Sequence, residues 1–345
     1  MSPRRVWTGW EPRRSRGAGG RPRGRWLRRL LIFAAVAVLA AAGLAAGGVW
    51  WATDHYGDQI QRIPNSFPDG PRPESTDGTT FLLAGLDSRS EKPTTGNDAE
   101  AALWKYGAQR GDTLMLVHLD PGADTASIVS IPRDSWVPIP GHGSAKINAA
   151  YSWGGPALLV ETVEQLTGVR VDHFGIIDWH GFRSLTDAVG GVPITIEQDS
   201  YDSVQHRHFK AGTYTMNGED ALVYVRQRHG LPGGDLDRIE HQQQYLRSLV
   251  SKIRGDMSVT QPWHINRTLN ALTDTVSVDD QLSNADLRDL VLNLRHLNSD
   301  DAYFSTAPVV RSDMIDRQSV LILDRAGLRS LCHAIETGHP PDTER

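Results

Sequence analysis

From Leu30 to Thr53 the chain carries no charged residue. The run LLIFAAVAVLAAAGLAAGGVWWAT is long enough to cross a bilayer as a single helix, which needs about 20 apolar residues. Trp50 and Trp51 stand at its far end, where aromatic rings favour the membrane interface. Before it, residues 1–29 hold ten arginines against one acid, Glu11, in a Gly- and Pro-rich composition expected to be disordered. That basic flank predicts a cytoplasmic N-terminus, with everything from Asp54 onward outside the cell membrane. A cleaved signal peptide and a twin-arginine signal at Arg28-Arg29 are the rival readings, although the apolar region of a signal peptide is normally shorter. All of them put the C-terminal part across the membrane.

The overall charge of −5 conceals an asymmetry: the tail contributes +9, which leaves −14 for the remainder. Beside a membrane span, the basic tail is accounted for by topology and attraction to anionic lipid, so membrane lipid is an expected partner and nucleic acid is not. Cys332 is the single cysteine, which excludes an intrachain disulfide. With Leu328, Leu331 and Ile335 it reads as a buried helix residue. Residues 54–78 are rich in Pro, Gly, Asn, Asp and Ser and read as an extracellular stalk. One domain is expected over 79–340.

Within that domain, TTFLLAGL predicts a strand ending at Asp87, and Thr113 to Leu119 a second strand with Arg110 and Asp112 at its entry. TASIVSI predicts a third, stopped by Pro132 and forming an antiparallel hairpin with the second around Pro121 and Gly122. Pro156 opens a helix that Gly168 closes. HFGIID, WHGFRSLTDAV and VPITIE read as strand, helix and strand, hence a crossover unit. After Arg254 helices dominate, with Ser283 as a cap, a late strand from Ala302 to Pro308 and a last helix from Asp324 to Thr337. The fold class is α/β, a mixed central sheet flanked by helices on both faces.

Chemistry concentrates in YVRQRHGLPGGDLDRIEHQQQ, Tyr224 to Gln244. In an extended segment Arg226 and Arg228 project from one face. Gly230, Pro232, Gly233 and Gly234 force a loop, and Asp235 is a good N-cap for a helix whose Leu236, Ile239, Gln243, Leu246, Val250 and Ile253 face a core. Asp235, Arg238 and Gln242 share another face. Arginine suits phosphate because its planar fork donates paired hydrogen bonds and keeps its charge. Each arginine taken singly could instead pair with Asp235, Asp237 or Glu240 on a solvated surface. Clustered, they repel one another unless an anion joins them, and a diphosphate is a natural counterpart.

Asp87, Asp112, Arg110 and Arg133 fall at predicted strand ends, where open α/β sheets place ligand groups. Lys146 could add positive charge. Two carboxylates without cysteine or metal-spaced histidines favour Mg²⁺, and a magnesium site beside arginines suits phosphoryl transfer. His206 and His208 have no further ligand pattern, and the absence of a Walker A or kinase catalytic-loop pattern argues against ATP.

The segments FLLAGLDSR, RGDTLMLVHLDP, SIVSIPRD, KINAAYSWGGP, VDHFGIIDWHGFRSLTDAVGGV and the Tyr224 to Gln244 stretch, in order over Phe81 to Ile253, resemble the LytR-CpsA-Psr (LCP) family of cell-wall ligases. The resemblance implies a membrane-anchored transferase that moves a glycopolymer from a polyprenyl pyrophosphate to a peptidoglycan hydroxyl. It implies that Asp87 and Asp112 coordinate Mg²⁺, and that Arg110, Arg133, Arg226, Arg228, Arg238 and Gln242 contact the pyrophosphate. Arg89 and Asp235 match the pattern in supporting roles. It also implies a mixed sheet between helices with an apolar groove for the lipid. The general base is open among Asp87, Asp112 and Asp235. A polyprenyl-pyrophosphate hydrolase, or a non-catalytic envelope binding or regulatory protein, are the alternative functions.

Overall fold

A computed structural model of the chain describes residues 54–338 except 89, 91, 98, 123–124, 257–261 and 295–300. The basic tail and the apolar run lie outside the described residues. Among the described residues no helix is long and apolar enough to cross a membrane.

The central sheet is built from β1 (Gln61–Ile63), β2 (Thr79–Ser88), β3 (Gln109–Leu119), β4 (Ala126–Ile131), β5 (His173–Asp178), β6 (Val276–Asp279) and β7 (Ala302–Thr306). Their spatial order is β1-β6-β5-β2-β3-β4-β7. Strands β2, β3 and β4 form an antiparallel meander, β5 runs parallel to β2, and β6 is antiparallel to β5. The edges β1 and β7 pair in parallel with β6 and β4. The sheet is therefore mixed, as expected, and β7 and the β3–β4 hairpin stand where the sequence placed them.

Helices α1 (Asn148–Thr167), α2 (Trp179–Ala188), α3 (Gly218–Arg226), α4 (Asp235–Asp256), α5 (Pro262–Thr275), α6 (Asn284–Leu294) and α7 (Arg325–Glu336) accompany the sheet. Side-chain alternation along β2 sorts the packing. Leu82, Ala84 and Leu86 face a core that includes Leu159, Val160 and Val163 of α1 and Leu328, Cys332 and Ile335 of α7. Burial there pushes the Cys332 thiol up to about 12, the inert state expected of it. On the other face Phe81, Met115, Val117 and Ile128 meet Leu246 of α4 and Leu290 of α6. Leu83 also points to this side and, although it lies in the middle of a central strand, is 36% exposed. A third cluster joins α2 and α3 to α4 through Leu185, Leu222, Val225, Tyr245 and Leu249.

Capping accounts for several helix ends. Asp324 accepts from Gly327 N at 2.9 Å to start α7, and Ser283 and Asp286 cap α6 reciprocally. Gly168 closes α1 with φ 82°. Gly155, at φ 64° and ψ −155°, breaks the Asn148–Thr167 span, so the regular helix restarts at Pro156 as expected.

Three expectations are corrected. The 54–78 stretch is no free stalk: β1 completes the sheet edge, Tyr56 and Ile63 are buried, and Arg72 makes a bidentate pair with Glu164. The strand–helix–strand unit is no crossover, because Val192–Ile196 leaves the central sheet and pairs antiparallel with Gly212–Met216. Its alternating burial suits a one-sided ribbon, whereas a central parallel strand is buried on both faces. In α4, Leu236 and Val250 are exposed, while Tyr245 and Leu249 are buried. That helix is wedged between two clusters, so its buried surface is wider than one stripe.

Candidate active site

The site starts at the β2–β3 pair. Register runs from Thr79 opposite Leu119 to Gly85 opposite Thr113, then shifts so that Leu86 faces Gly111 and Asp87 faces Arg110. Asp112 is the extra residue of this bulge, a device that re-aims a side chain. Its carboxylate, nearly buried, pairs with Arg133. Arg133 stands one residue beyond Pro132, which follows the last β4 residue and cannot extend the ladder.

The arginine-rich stretch differs from its expected form. Tyr224–Arg226 is the last turn of α3, not a strand end, and only Gln227 becomes extended (φ −57°, ψ 132°). Asn217 caps this helix by accepting from Asp220 N at 2.8 Å, Glu219 and Asp220 occupy its first turn, and Ala221, Leu222, Tyr224 and Val225 are buried at helical spacing. Arg226 therefore sits at a helix C-terminus, where a cation is favoured. After it the chain turns through Gly230, whose φ of 78° suits glycine and where a Cβ would strike the Tyr201 carbonyl oxygen. Asp235 is the first residue of α4, and its carboxylate serves two guanidiniums: Oδ1 lies 3.0 Å from Arg228 Nη2 and 2.9 Å from Arg238 Nη2.

These elements enclose a cleft of about 360 Å³. Asp87, Asp112, Arg133, Arg226, Arg228, Arg238 and Gln242 all line it. Asp235 borders it through its ion pairs. Arg110 is exposed on β3 opposite Asp87 and is not part of the lining, and Arg89 lies outside the described residues. His206 and His208 stay on the neighbouring hairpin, where His208 stacks on Tyr201 with ring centroids 4.3 Å apart.

Sequence reasoning missed Trp179, Asp202, Gln205 and His229 in the lining, and Asp134 beside it. Trp179 and Asp134 each lie just past a strand of the central sheet, the same signal that selected Asp87 and Arg133. Asp202 had no such mark: it belongs to the Ser200–Asp202 and Arg207–Phe209 hairpin that walls the cleft.

Charge is closely balanced. Asp134 accepts from Lys146 Nζ at 2.8 Å and lies 3.3 Å from Arg228 Nη2. Burial opposes its ionisation, but Lys146, Arg133 and Arg228 outweigh that and hold the carboxyl below its usual range. Burial likewise works against the Arg133 guanidinium, yet Asp112, Asp134 and Asp235 raise it above the ordinary value. Arg238, 4% exposed, is pushed down to about 10 by burial against the pull of Asp235, and so remains charged at neutral pH. Two donors are left over: among the described residues the buried Nε of Arg133, 3.9 Å from Asp134 Oδ2, and the buried Nε of Arg238 have no hydrogen-bond partner. Gln242 is fixed by a bond from its Nε2 to Val225 O at 3.2 Å.

The model of the LytR_cpsA_psr family matches residues 53–336. The cell wall biosynthesis protein LcpA of Corynebacterium glutamicum is 33% identical over 270 residues, covering 69% of this chain and 52% of that protein. The chain thus spans about half the length of this relative. TagU of Enterococcus faecalis, named a polyisoprenyl-teichoic acid–peptidoglycan teichoic acid transferase, is 29% identical over 272 residues, covering 77% of this chain and 82% of TagU. The crystal structure of B. subtilis TagV is similar in fold, with a TM-score of 0.61 and 24% identity over 77% of this chain and 98% of that one.

Proposed function

The chain belongs to the LytR_cpsA_psr family, and on that premise we propose that it is a membrane-anchored phosphotransferase that moves a glycopolymer from a polyprenyl pyrophosphate carrier to a hydroxyl of peptidoglycan. The observation that carries this reading is the pair of buried Nε–H donors on Arg133 and Arg238, neither with a hydrogen-bond acceptor among the described residues, in a cleft that also presents Arg226 and Arg228. A buried donor without an acceptor costs about 1–3 kcal/mol. Oxygens of a diphosphate would satisfy both. For the carrier's chain, Leu83 and its neighbours on the α4 side of the sheet offer apolar surface.

Asp87 and Asp112 fit a hard divalent ion. Each is engaged through Oδ1, by the Trp179 indole and by Arg133. No group of three or more acidic, histidine or cysteine residues suited to a metal occurs among the described residues. Two carboxylates with the remaining positions open is the mode usual for Mg²⁺, which keeps water and substrate phosphate oxygens. Arg133, Arg226, Arg228, Arg238 and Lys146 face Asp87, Asp112, Asp134, Asp202 and Asp235, so the protein alone carries little surplus charge to meet a diphosphate. Mg²⁺ held by Asp87 and Asp112 would supply it.

In the reaction the acceptor hydroxyl oxygen bonds to the phosphorus that bears the glycan, and the bridging P–O bond to the carrier breaks. Polyprenyl monophosphate leaves, and the hydroxyl proton passes to a carboxylate of the cleft. The arginines bind and orient the diphosphate and meet the charge that grows on its bridging oxygen. The test is to mix the protein with a short synthetic polyprenyl-pyrophosphate glycan, peptidoglycan fragments and Mg²⁺, and to weigh the products by mass spectrometry. A phosphodiester-linked adduct is expected. Free phosphoglycan would make the protein a hydrolase, and binding without turnover of two different donors would make it a carrier or regulator.

A further inference from the structure

Trp179 opens α2 directly after Asp178, whose carboxylate accepts from Gly181 N at 2.8 Å and from Thr94 N and Oγ1 at 2.6 and 2.9 Å. Its ring packs half-buried against the cluster that joins α2 and α3 to α4. From this fixed base the indole reaches two groups of the cleft. Nε1–H donates to Asp87 Oδ1 at 2.9 Å, and the ring face carries the Arg226 guanidinium 4.9 Å from its centroid.

Among the described residues, those two groups are the opposite charges of the cleft with neither an ion pair nor a full set of hydrogen bonds. Arg133, Arg228 and Arg238 each pair with a carboxylate, whereas Arg226 has no ion pair among the described residues. Among the lining acids, Asp112 pairs with Arg133, and Asp202 is occupied by Val204 N and Gln205 N, both at 2.9 Å, and by the Gln205 amide at 3.1 Å. Among the described residues, Asp87 holds only the neutral indole N–H. Opposite charges sharing a partly shielded cleft attract strongly enough to pair when nothing intervenes. Here one meets the edge and the other the face of the same ring.

We infer that Trp179 is a positioning residue whose indole keeps Asp87 and Arg226 from collapsing into an ion pair, so that the guanidinium stays open to the anion and the carboxylate to its own ligand. The inference rests on the pyrophosphate reading above. Remove the ring, and Arg226 swings onto Asp87 and its donors are lost to the anion. Remove the ring and the Asp87 charge together, and Arg226 is free again. A role confined to supporting the fold would cost the same binding with or without the Asp87 charge.

The experiment is calorimetric titration of the full chain in mild detergent with inorganic pyrophosphate, in chelator without divalent cations. Trp179→Phe keeps the ring face and should bind within about threefold of the wild type. Trp179→Ala should bind roughly tenfold or more weakly, the loss of a charged hydrogen-bonding group. Asp87→Asn alone is the reference, since removing a carboxylate from the cleft tightens anion binding by itself: Trp179→Ala with Asp87→Asn should bind within about threefold of Asp87→Asn. Should circular dichroism show that Trp179→Ala does not fold, Trp179→Leu replaces it in the same pair, since it keeps apolar volume without an aromatic face. Unchanged binding on loss of the ring in the wild-type background, or an equal loss in both backgrounds, overturns the inference while leaving the pyrophosphate reading in place. A wild type that binds pyrophosphate only once Mg²⁺ is added also overturns the inference, since Arg226 is then not held open for the anion, and one that binds in neither condition overturns both.

Discussion

Asp235→Asn separates two accounts of why the arginines of the cleft stand where they do. The side chains of Asp235 and Arg238 are only 13% and 5% exposed, and the carboxylate is the sole ion-pair partner of Arg238 among the described residues. Breaking a buried pair by removing one partner costs about 3–5 kcal/mol. Arg228 is 40% exposed and keeps Asp134 at 3.3 Å, so its share is at most about 1 kcal/mol. Asparagine retains one carbonyl acceptor for Arg238, which returns about 1 kcal/mol. The net destabilisation should be about 2–5 kcal/mol, and at roughly 2–4 °C per kcal/mol for a domain of this size the Tm falls by roughly 4–20 °C. Pyrophosphate should move in the other direction. With one more uncompensated positive charge, the variant should bind the anion more tightly and gain more Tm from saturating pyrophosphate than the wild type does. An unchanged Tm would show that Arg238 does not depend on Asp235 for its charge balance. A lower Tm with weaker pyrophosphate binding would show that Asp235 shapes the site and that its charge is incidental.

Further expectations bear on the metal, the lipid and the acid limb. Asp87→Asn combined with Asp112→Asn should abolish transfer together with its Mg²⁺ dependence, and a remaining response to Mg²⁺ in the transfer assay would place the metal elsewhere. Leu83→Gln should lower turnover of long-chain polyprenyl donors while leaving inorganic pyrophosphate affinity within about twofold; equal losses would remove the α4 side of the sheet as the lipid surface. Asp134 has a folded-state pKa below its unfolded value, chiefly because Lys146 and two arginines overcome burial. Its stabilisation is therefore complete above the unfolded value of about 3.9 and is lost as pH falls through the lower folded value. Melting curves across that range should show a smaller acid loss for Asp134→Asn than for the wild type, and parallel losses would contradict the assignment.

Much of the cleft was legible because its residues carry local marks. Asp87, Asp112 and Arg133 sit at the ends of apolar runs, and Arg226, Arg228, Arg238 and Gln242 flank a glycine loop, so position along an element already placed them near one another. Their conformations were less legible. Arg226 and Arg228 were read as extended from spacing alone, although Asn217 and the acidic pair after it announce a helix running into Arg226. What binds these groups was hidden, because the partners are distant in sequence. Trp179 reaches Asp87 across 92 positions, and Arg228 reaches Asp134 across 94. One end of the sheet was hidden for a different reason. β1 and β6 are three and four residues long, too short to show a period, and β6 is placed by pairing with β5 on one side and β1 on the other. In α4 the stripe placed Gln243 rightly, which is buried and donates to Ser130 Oγ at 3.0 Å and Ser305 O at 3.2 Å, but it missed Tyr245 and Leu249, because the helix packs against two clusters and not one.

The balance of charge in the cleft bears on how it can be selective. Unpaired arginines this close would repel and spread into solvent, and each would have to be ordered again when the ligand arrives. Pairing Arg133 with Asp112, and Arg228 and Arg238 with Asp235, orders them during folding, so the anion meets donors already in place. The same carboxylates cancel most of the long-range attraction. Affinity must then come from directed groups, the free Nε of Arg133, the free Nε of Arg238 and the open face of Arg226, and from a cation that the anion brings or finds. An anion that reaches only one of these donors gains little from the others, so the arrangement favours a diphosphate that spans them over a compact monoanion of similar charge density. That is also why Arg226, held by a ring and not by a carboxylate, matters beyond its single charge: it is the cleft arginine whose donors need no ion pair broken before they can bind.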